Sequence, residues 1–101
     1  MKTYYVYILR CADGSFYTGV TNHLQRRLEE HQRGNDFRCY TFNRRPVEMV
    51  FYTSFQDVNQ AIAFEKQIKG WNRKKKIALI SGNWEKLPGL SKRKSDQVLE
   101  R

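Results

Sequence analysis

The sequence predicts an α+β sandwich, in which a small sheet is covered by helices. Alternating aromatic and aliphatic residues indicate two strands around a turn and a third strand later in the chain. Helical periodicity appears before and after that third strand. Helices packed against one small sheet satisfy this order of elements most simply. We expect residues 1–87 to form a single domain, because a chain of 101 residues is the size of one self-supporting core.

The first two strands are predicted to form a hairpin. Residues 4–11 and 16–20 alternate in the manner of strands, and Asp13-Gly14 between them tolerates the positive φ of a tight turn. Asn22 is the predicted N-cap of the next element, with Gln25 placed as in a capping box. Gly34 suits the end of that element. These signals predict a helix over residues 23–33.

The second half of the chain predicts one more strand and two helices. Residues 35–45 are polar and basic without a period, which predicts a loop. Apolar residues on both faces of the following strand predict that both faces are buried. A helix follows, and then a short basic helix that Asn72 caps and Gly82 closes. The predicted ranges are 47–54 for the strand, 57–69 and 73–80 for the helices, and 88–101 for a flexible, polar and basic tail.

Composition limits the classes of partner. Lys and Arg number 19 against 10 Asp and Glu, which gives a net charge of +9. A polyanion is therefore the expected partner, nucleic acid first and an anionic membrane second. No apolar run approaches the roughly 20 residues that span a bilayer, and no apolar leader opens the chain, so we expect a soluble cytoplasmic protein. Cys11 and Cys39 belong to no spaced cluster, which predicts neither a zinc site nor a disulfide framework.

Two predicted helices carry polar groups on their apolar sides. Glu65 lies on the arc of Val58 and Ile68, where an unpaired carboxylate is costly to bury and is normally paired with a cation or held on a metal. In the first helix, His31 falls on the apolar stripe, and Arg27 lies on its flank. Tyrosine triplets on the hairpin lie upstream, at residues 5–7 and 17–19. Together these residues form a candidate site.

The residue types indicate phosphate chemistry. A single carboxylate suits one Mg²⁺ or Mn²⁺ ion completed by waters and a substrate phosphate. Arg27 offers a phosphate two parallel donors. Tyr7, Tyr17 and His31 are the available proton carriers, and the residues alone leave open which of them takes the proton. Gly19 permits a close approach of backbone or ligand.

Each of these residues also has a purely structural interpretation. Tyrosines in a hairpin usually pack, and two side chains at i, i+4 are usually solvated neighbours. Glu65 is a stronger signal, although a structural Arg or Lys would also explain it. A basic run is usually a solvated face, but beside a charge of +9 it predicts a patch that follows phosphates. That run consists of Arg73, Lys74, Lys75 and Lys76.

As an ordered set, these residues resemble the GIY-YIG nuclease superfamily from about residue 4 to residue 80. The first triplet ends in the tyrosine that corresponds to Tyr7, and the second begins with Tyr17 and contains the glycine that corresponds to Gly19. The family's catalytic arginine corresponds to Arg27, and its metal-binding glutamate to Glu65. His31 stands where many members carry His and others Tyr. The chain is most similar to the small stand-alone bacterial members.

Some positions differ from the family pattern. The first triplet is Tyr-Val-Tyr in place of Gly-Ile-Tyr, and Thr18 replaces Ile in the second. Both changes keep the reactive tyrosines. Asn72 and Asn83 are both candidates for the asparagine that the family carries late in the site. We expect these 101 residues to be the catalytic module without the domains that relatives use to find a DNA sequence or junction.

The resemblance implies a three-stranded antiparallel sheet flanked by helices and a phosphodiesterase that uses one divalent metal ion. Arg27 would clamp the scissile phosphate, and Glu65 would hold the metal. Tyr7 and Tyr17 would position and deprotonate the attacking water with support from His31. The resulting hypothesis is a DNA endonuclease, with DNA repair or recombination as a setting. The alternatives are a nucleic-acid-binding module that keeps the fold without turnover and a role on RNA, which phosphate contacts do not distinguish from DNA.

Overall fold

A computed structural model describes residues 2–82 of the chain. Over these residues it contains a three-stranded antiparallel sheet and three α-helices, which confirms the predicted α+β class. The elements are β1 (Tyr4–Arg10), β2 (Phe16–Thr21), α1 (Leu24–Arg33), a short 3₁₀ helix (Phe42–Arg44), β3 (Glu48–Phe55), α2 (Val58–Lys69) and α3 (Arg73–Ile80).

The chain divides into two compact units. The first ends at Lys69 and contains the sheet, α1 and α2, whereas the second begins at Gly70 and contains α3. The expectation of a single domain over residues 1–87 stays a prediction. The predicted tail, residues 88–101, lies outside the described residues, as does Asn83.

The middle strand, β1, is the centre of the core. The strand order is β2-β1-β3, and four consecutive residues of β1 from Val6 to Leu9 are at most 1% exposed. Tyr7 and Leu9 belong to a cluster against which Leu24 and Leu28 of α1 pack. Val6 and Ile8 point to the opposite face of the sheet. The helix α2 contacts all three strands and buries its own Ala61 and Ile68.

The prediction that both faces of the third strand are buried is wrong. None of the eight residues of β3 is fully buried, and Tyr52 is 58% exposed. The reason is the position of β3 at the edge of the sheet, since side chains there are covered by neighbours on only one side. The apolar composition of this segment therefore predicted a strand correctly but predicted more burial than β3 has.

The first helix begins one residue later than its capping pattern predicts, and Asn22 is not its cap. His23 is the N-cap, and its Nδ1 accepts the Arg26 N–H at 3.3 Å. The Thr21 hydroxyl accepts the His23 N–H at 3.1 Å, and the helix starts one residue later than predicted. Gly34 ends the helix in the left-handed conformation with φ of 70°, as predicted.

A side-chain amide connects the last turn of α1 to the start of β3. Gln32 donates from Nε2 to the Val47 carbonyl at 2.6 Å and accepts the Val47 N–H at Oε1 at 3.0 Å. The two bonds reproduce the pairing that a neighbouring strand would give to Val47. His31, the preceding residue, lies in the same turn of α1, so the amide also holds the part of the helix that carries it.

The third helix spans residues 73–80 as predicted. The Asn72 side chain accepts the Lys75 N–H at 2.9 Å and caps the helix, and Ser81 ends it before Gly82 with φ of 83°. None of the helices within residues 2–82 is long and apolar enough to span a bilayer.

Candidate functional site

A chain of hydrogen bonds links the hairpin, α1 and the loop that follows α1. The Tyr7 hydroxyl lies 3.0 Å from Nε2 of His31, and Nδ1 of His31 lies 2.8 Å from the Thr41 hydroxyl. Tyr7, His31 and Thr41 are all at most 5% exposed. Because buried polar groups are stable only when hydrogen-bonded, each of the three fixes the orientation of its neighbour.

The contact between Thr41 and Cys39 determines which groups donate and which accept in this series of hydrogen bonds. The Thr41 hydroxyl donates to Sγ of Cys39 at 3.5 Å, so its oxygen is free to accept from Nδ1–H of His31. This tautomer leaves Nε2 of His31 as an acceptor for the Tyr7 hydroxyl proton. Nε2 of His31 therefore accepts the hydrogen bond that the Tyr7 hydroxyl donates.

Gly19 is required by the position of the Tyr7 ring. The two residues are register partners on β1 and β2. A Cβ atom on Gly19 would lie 2.5 Å from the Tyr7 hydroxyl oxygen and 2.7 Å from its Cζ, closer than real contacts allow. The close approach predicted for Gly19 is thus made by a site tyrosine. The absence of a side chain on β2 is what lets Tyr7 reach His31.

Tyr17 lies in a cluster of rings with Tyr7 and His31. Its ring centroid is 6.3 Å from that of Tyr7 and 5.1 Å from that of His31, and it stacks on Tyr40 at 6.1 Å. The guanidinium of Arg44 lies 3.9 Å from the centroid of the Tyr40 ring. Unlike Tyr7, which is buried, Tyr17 is only partly buried. It is therefore the site tyrosine that solvent can reach.

Arg27 lies beside these groups on α1. Its side chain is 45% exposed, and its Nε is 3.5 Å from Oε1 of Glu30. Arg27, Glu30, His31, Cys39 and Thr41 line a cavity of about 90 Å³, together with Gly34, Asn35, Asp36 and Phe42. A half-exposed guanidinium in the lining of this cavity is available to an anion from solvent.

Glu65 is buried on α2 as its place on the apolar arc predicts. It is 8% exposed, and its Oε2 lies 2.8 Å from Nζ of Lys69, one helical turn further on. The charges of Glu65 and Lys69 both act on the Tyr17 hydroxyl. This interaction links the α2 carboxylate to the ring cluster of the hairpin and α1.

Burial favours the uncharged forms of the titratable side chains Tyr7, Tyr17 and His31. It raises the pKa of the Tyr7 hydroxyl and of the Tyr17 hydroxyl, and it lowers the pKa of His31. The positive charge of Arg27 opposes the first two shifts and adds to the third. Without further positive charge, both tyrosines stay protonated and His31 stays unprotonated near neutral pH.

The basic segment, Arg73 to Lys76, belongs to the second unit. Its residues form the first half of α3, where Arg73 and Lys74 are exposed and Lys75 lies 5.7 Å above the Trp71 ring. Positive side chains are unfavourable at a helix N-terminus, and the first turn of α3 contains no acidic residue to offset them. Asn72 uses its side chain as the cap of α3.

The sequence interpretation missed several residues of this site. Cys39, Tyr40 and Thr41 come from the loop without a period, and their contacts with Tyr17 and His31 span many residues of sequence. No local pattern indicated them. Lys69 was also missed, although its i, i+4 spacing from Glu65 on a predicted helix was a readable signal. Among residues 2–82, no three His, Cys, Asp or Glu side chains converge as a metal-binding group.

A family model describes the same residues. The GIY-YIG catalytic domain matches residues 3–78, which include the hairpin, α1 and α2. The chain belongs to the GIY-YIG family. Membership places it in a nuclease family and indicates a nucleic acid substrate.

Bacterial relatives of this GIY-YIG protein cover most of its length. A UPF0213 protein of Bacillus pumilus is 47% identical over 77 residues, 76% of this chain and 78% of the relative. A UPF0213 protein of Staphylococcus aureus is 40% identical over 80 residues, 79% of this chain and 96% of the relative.

Two solved structures have the same fold. The UPF0213 protein BH0048 of Bacillus halodurans matches with a TM-score of 0.52 at 39% identity, over 78% of this chain and 83% of that one. The protein EF2693 of E. faecalis matches with a TM-score of 0.57 at 35% identity, over 81% and 86%. Both were determined by solution NMR.

Proposed function

We propose that this protein is an endonuclease that hydrolyses phosphodiester bonds of DNA with one divalent metal ion, Mg²⁺ or Mn²⁺. The observation that carries the proposal is the hydrogen-bonded pair of Tyr7 and His31 beside Tyr17, within reach of the charges of Arg27 and Glu65. Proton carriers, a phosphate-binding cation and a carboxylate are the groups that phosphodiester hydrolysis requires.

Tyr17 is the proposed contact with the attacking water. It is partly exposed, whereas Tyr7 and His31 are buried behind it. Tyr7 and His31 would support Tyr17 by fixing its position, since the Tyr7 hydroxyl is hydrogen-bonded to Nε2 of His31 and both rings lie against the Tyr17 ring. In this arrangement Thr41 keeps His31 in the accepting tautomer.

Arg27 is the proposed clamp for the scissile phosphate. Its guanidinium is half exposed, and its Nε lies 3.5 Å from Oε1 of Glu30. A phosphate offers the guanidinium two charged oxygens and a bidentate geometry, which a 3.5 Å contact does not provide. The clamp would also stabilise the negative charge that accumulates on the phosphate during hydrolysis.

Glu65 is the proposed protein ligand of the metal ion, and the donor set fits that role. Mg²⁺ is usually bound through one or two carboxylates and completed by waters and substrate phosphates. Glu65 is one buried carboxylate near the tyrosines, and no three-residue metal-binding group competes with it among residues 2–82. When bound, such an ion supplies positive charge for the leaving oxygen and lowers the pKa of nearby acids.

The basic segment is the proposed contact with the nucleic acid backbone. It consists of Arg73, Lys74, Lys75 and Lys76, all in the first half of α3. Positive side chains at a helix N-terminus oppose the helix dipole, and a bound polyanion would offset their charge. A nuclease with this surface and a charge of +9 would suit DNA repair or recombination, where substrates are recognised by structure more than by sequence.

The decisive experiment is a cleavage assay with Mg²⁺ or Mn²⁺ on duplex, nicked, flapped, branched and single-stranded DNA, with RNA counterparts. Glu65→Gln keeps the size of the side chain and removes its charge, so cleavage should collapse while nucleic acid binding without metal survives. Glu48→Gln is the matched control, because Glu48 is an exposed carboxylate on β3 that pairs with Arg10. Metal-independent cleavage, or equal activity of both variants, would refute the metal assignment.

A second variant tests the clamp. Arg27→Lys keeps the charge and loses the planar pair of donors, so turnover should fall at least about tenfold with near-normal stability. Full activity would show that Arg27 is only a surface cation. Tight binding without cleavage of any substrate would favour the alternative, a nucleic-acid-binding module without turnover.

A further inference from the structure

The carboxylate of Glu65 is paired with the ammonium of Lys69. Nζ of Lys69 lies 2.8 Å from its Oε2, and the two residues are four apart on α2. The carboxylate side chain is 11% exposed, whereas the lysine side chain is 58% exposed. A carboxylate that is largely removed from water needs a compensating charge, and Lys69 provides it within the described part of the protein.

The exposure of Lys69 makes this compensation reversible. A lysine has four rotatable bonds and a strongly hydrated ammonium, so a half-exposed lysine can leave its partner at low cost. A divalent cation on Glu65 would place two positive groups on one carboxylate. The ammonium of Lys69 and the divalent cation therefore lower each other's affinity for the Glu65 carboxylate.

We propose that Lys69 is a tethered competitor for the metal position, which neutralises Glu65 when no divalent cation is bound and withdraws when one binds. The inference rests on the proposed role of Glu65 as metal ligand. Lys69 lies close enough to the ring cluster for its charge to act on Tyr17, so a withdrawn ammonium remains beside the site. There it is available to a phosphate, and an incoming nucleic acid would favour metal binding by drawing Lys69 away from Glu65.

Metal affinity tests this directly, because it requires no cleavage. Mn²⁺ binding is measured by electron paramagnetic resonance of the free ion, in the absence of nucleic acid. Lys69→Met should bind Mn²⁺ about tenfold more tightly than the wild type, since the competing charge is removed and the apolar stem is kept. Lys69→Arg keeps a competing cation and should bind no more tightly than the wild type.

Lys66→Met is the matched control. Lys66 is exposed on the same helix but follows Glu65 directly, and neighbours at i, i+1 do not face each other. Both lysine-to-methionine variants lower the net charge equally, so the difference between them isolates the contact with Glu65. Equal Mn²⁺ affinities for the two variants would overturn the competitor role.

The Glu65→Gln change in the Lys69→Met background separates this inference from the proposed function. If Glu65 is the ligand, the double variant loses the affinity gained by Lys69→Met. If Mn²⁺ binds the double variant as tightly as Lys69→Met, the metal lies elsewhere and the proposed metal site itself is refuted. If binding depends on Glu65 but Lys69→Met leaves it at the wild-type level, only the competitor role fails. Thermal unfolding of each variant confirms that the folded protein is measured.

Discussion

Gly19→Ala tests the close packing between the two site strands. The added Cβ would lie 2.5 Å from the Tyr7 hydroxyl oxygen, whereas ordinary contacts begin at 3.4 Å. The hydroxyl must therefore move by about an ångström, but Tyr7 is only 1% exposed and has no free volume around it. A shift of that size is incompatible with the 3.0 Å hydrogen bond to His31.

The magnitude combines two terms. Overpacking of a tight core costs typically about 1–3 kcal/mol, and the lost hydrogen bond contributes about 1 kcal/mol. For a domain of this size each kcal/mol corresponds to a fall in melting temperature of about 4–8 °C. We expect Gly19→Ala to lower the melting temperature by at least about 8 °C and to reduce cleavage more than the loss of stability explains, because Tyr7 and His31 separate.

Circular dichroism melts and urea titrations measure the effect, and two comparisons isolate its cause. Gly14→Ala is the control for a glycine replaced without a clash, since a Cβ there meets no atom within 4 Å and only its φ of 87° is unfavourable. In a Tyr7→Leu background the ring is absent, so Gly19→Ala should cost little. An equal cost of Gly19→Ala in both backgrounds would refute the reasoning.

Three further predictions concern separate parts of the molecule. Thr18 is 3% exposed and its hydroxyl has no hydrogen-bond partner among residues 2–82, so Thr18→Val should raise the free energy of unfolding by about 1 kcal/mol; a lower stability in urea titrations would contradict this. Burial lowers the pKa of His31 below its usual 6.5, so the unfolded chain takes up the proton first as pH falls. The contribution of His31 to stability is thus complete above about pH 6.5 and is lost as the pH falls through the lower pKa of the folded state. His31→Gln should flatten this dependence in urea titrations at several pH values, and an unchanged profile would exclude His31 as its source. Replacing Lys74, Lys75 and Lys76 with Ala should weaken binding to unrelated duplexes by similar factors and reduce the slope of affinity against salt, because these side chains would contact phosphates. A loss confined to one duplex sequence, or an unchanged slope, would contradict the assignment.

The sequence predicted those parts of the site that local periodicity controls. Glu65 and His31 interrupt apolar stripes, and both are buried where the stripes place them. Tyr7 and Gly19 are register partners on the hairpin that the alternating segments and Asp13-Gly14 predicted. In such elements the spacing along the chain determines which side chains meet.

The parts that were not predicted depend on contacts between distant segments. Thr41 meets His31 ten residues away through a loop that has no period, and only the folded chain brings them together. The burial of β3 was overestimated because composition does not reveal that the strand lies at an edge. The cap of α1 moved to His23 because Thr21 bonds its N–H, an interaction that competes with the standard pattern at Asn22.

The amide of Gln32 has a consequence for how the site responds to mutation. Its two hydrogen bonds reach the peptide N–H and carbonyl of Val47, whereas the buried Val47 side chain packs in the core cluster with Tyr7 and Leu9. The exposed residues of β3, such as Tyr52, form neither of these bonds, so substitutions there can accumulate without rotating the turn of α1 that carries His31. Gln32 itself has no such freedom, because glutamate would present a second acceptor to a carbonyl and break one of the two bonds. The surface next to the site can vary, whereas position 32 requires an amide.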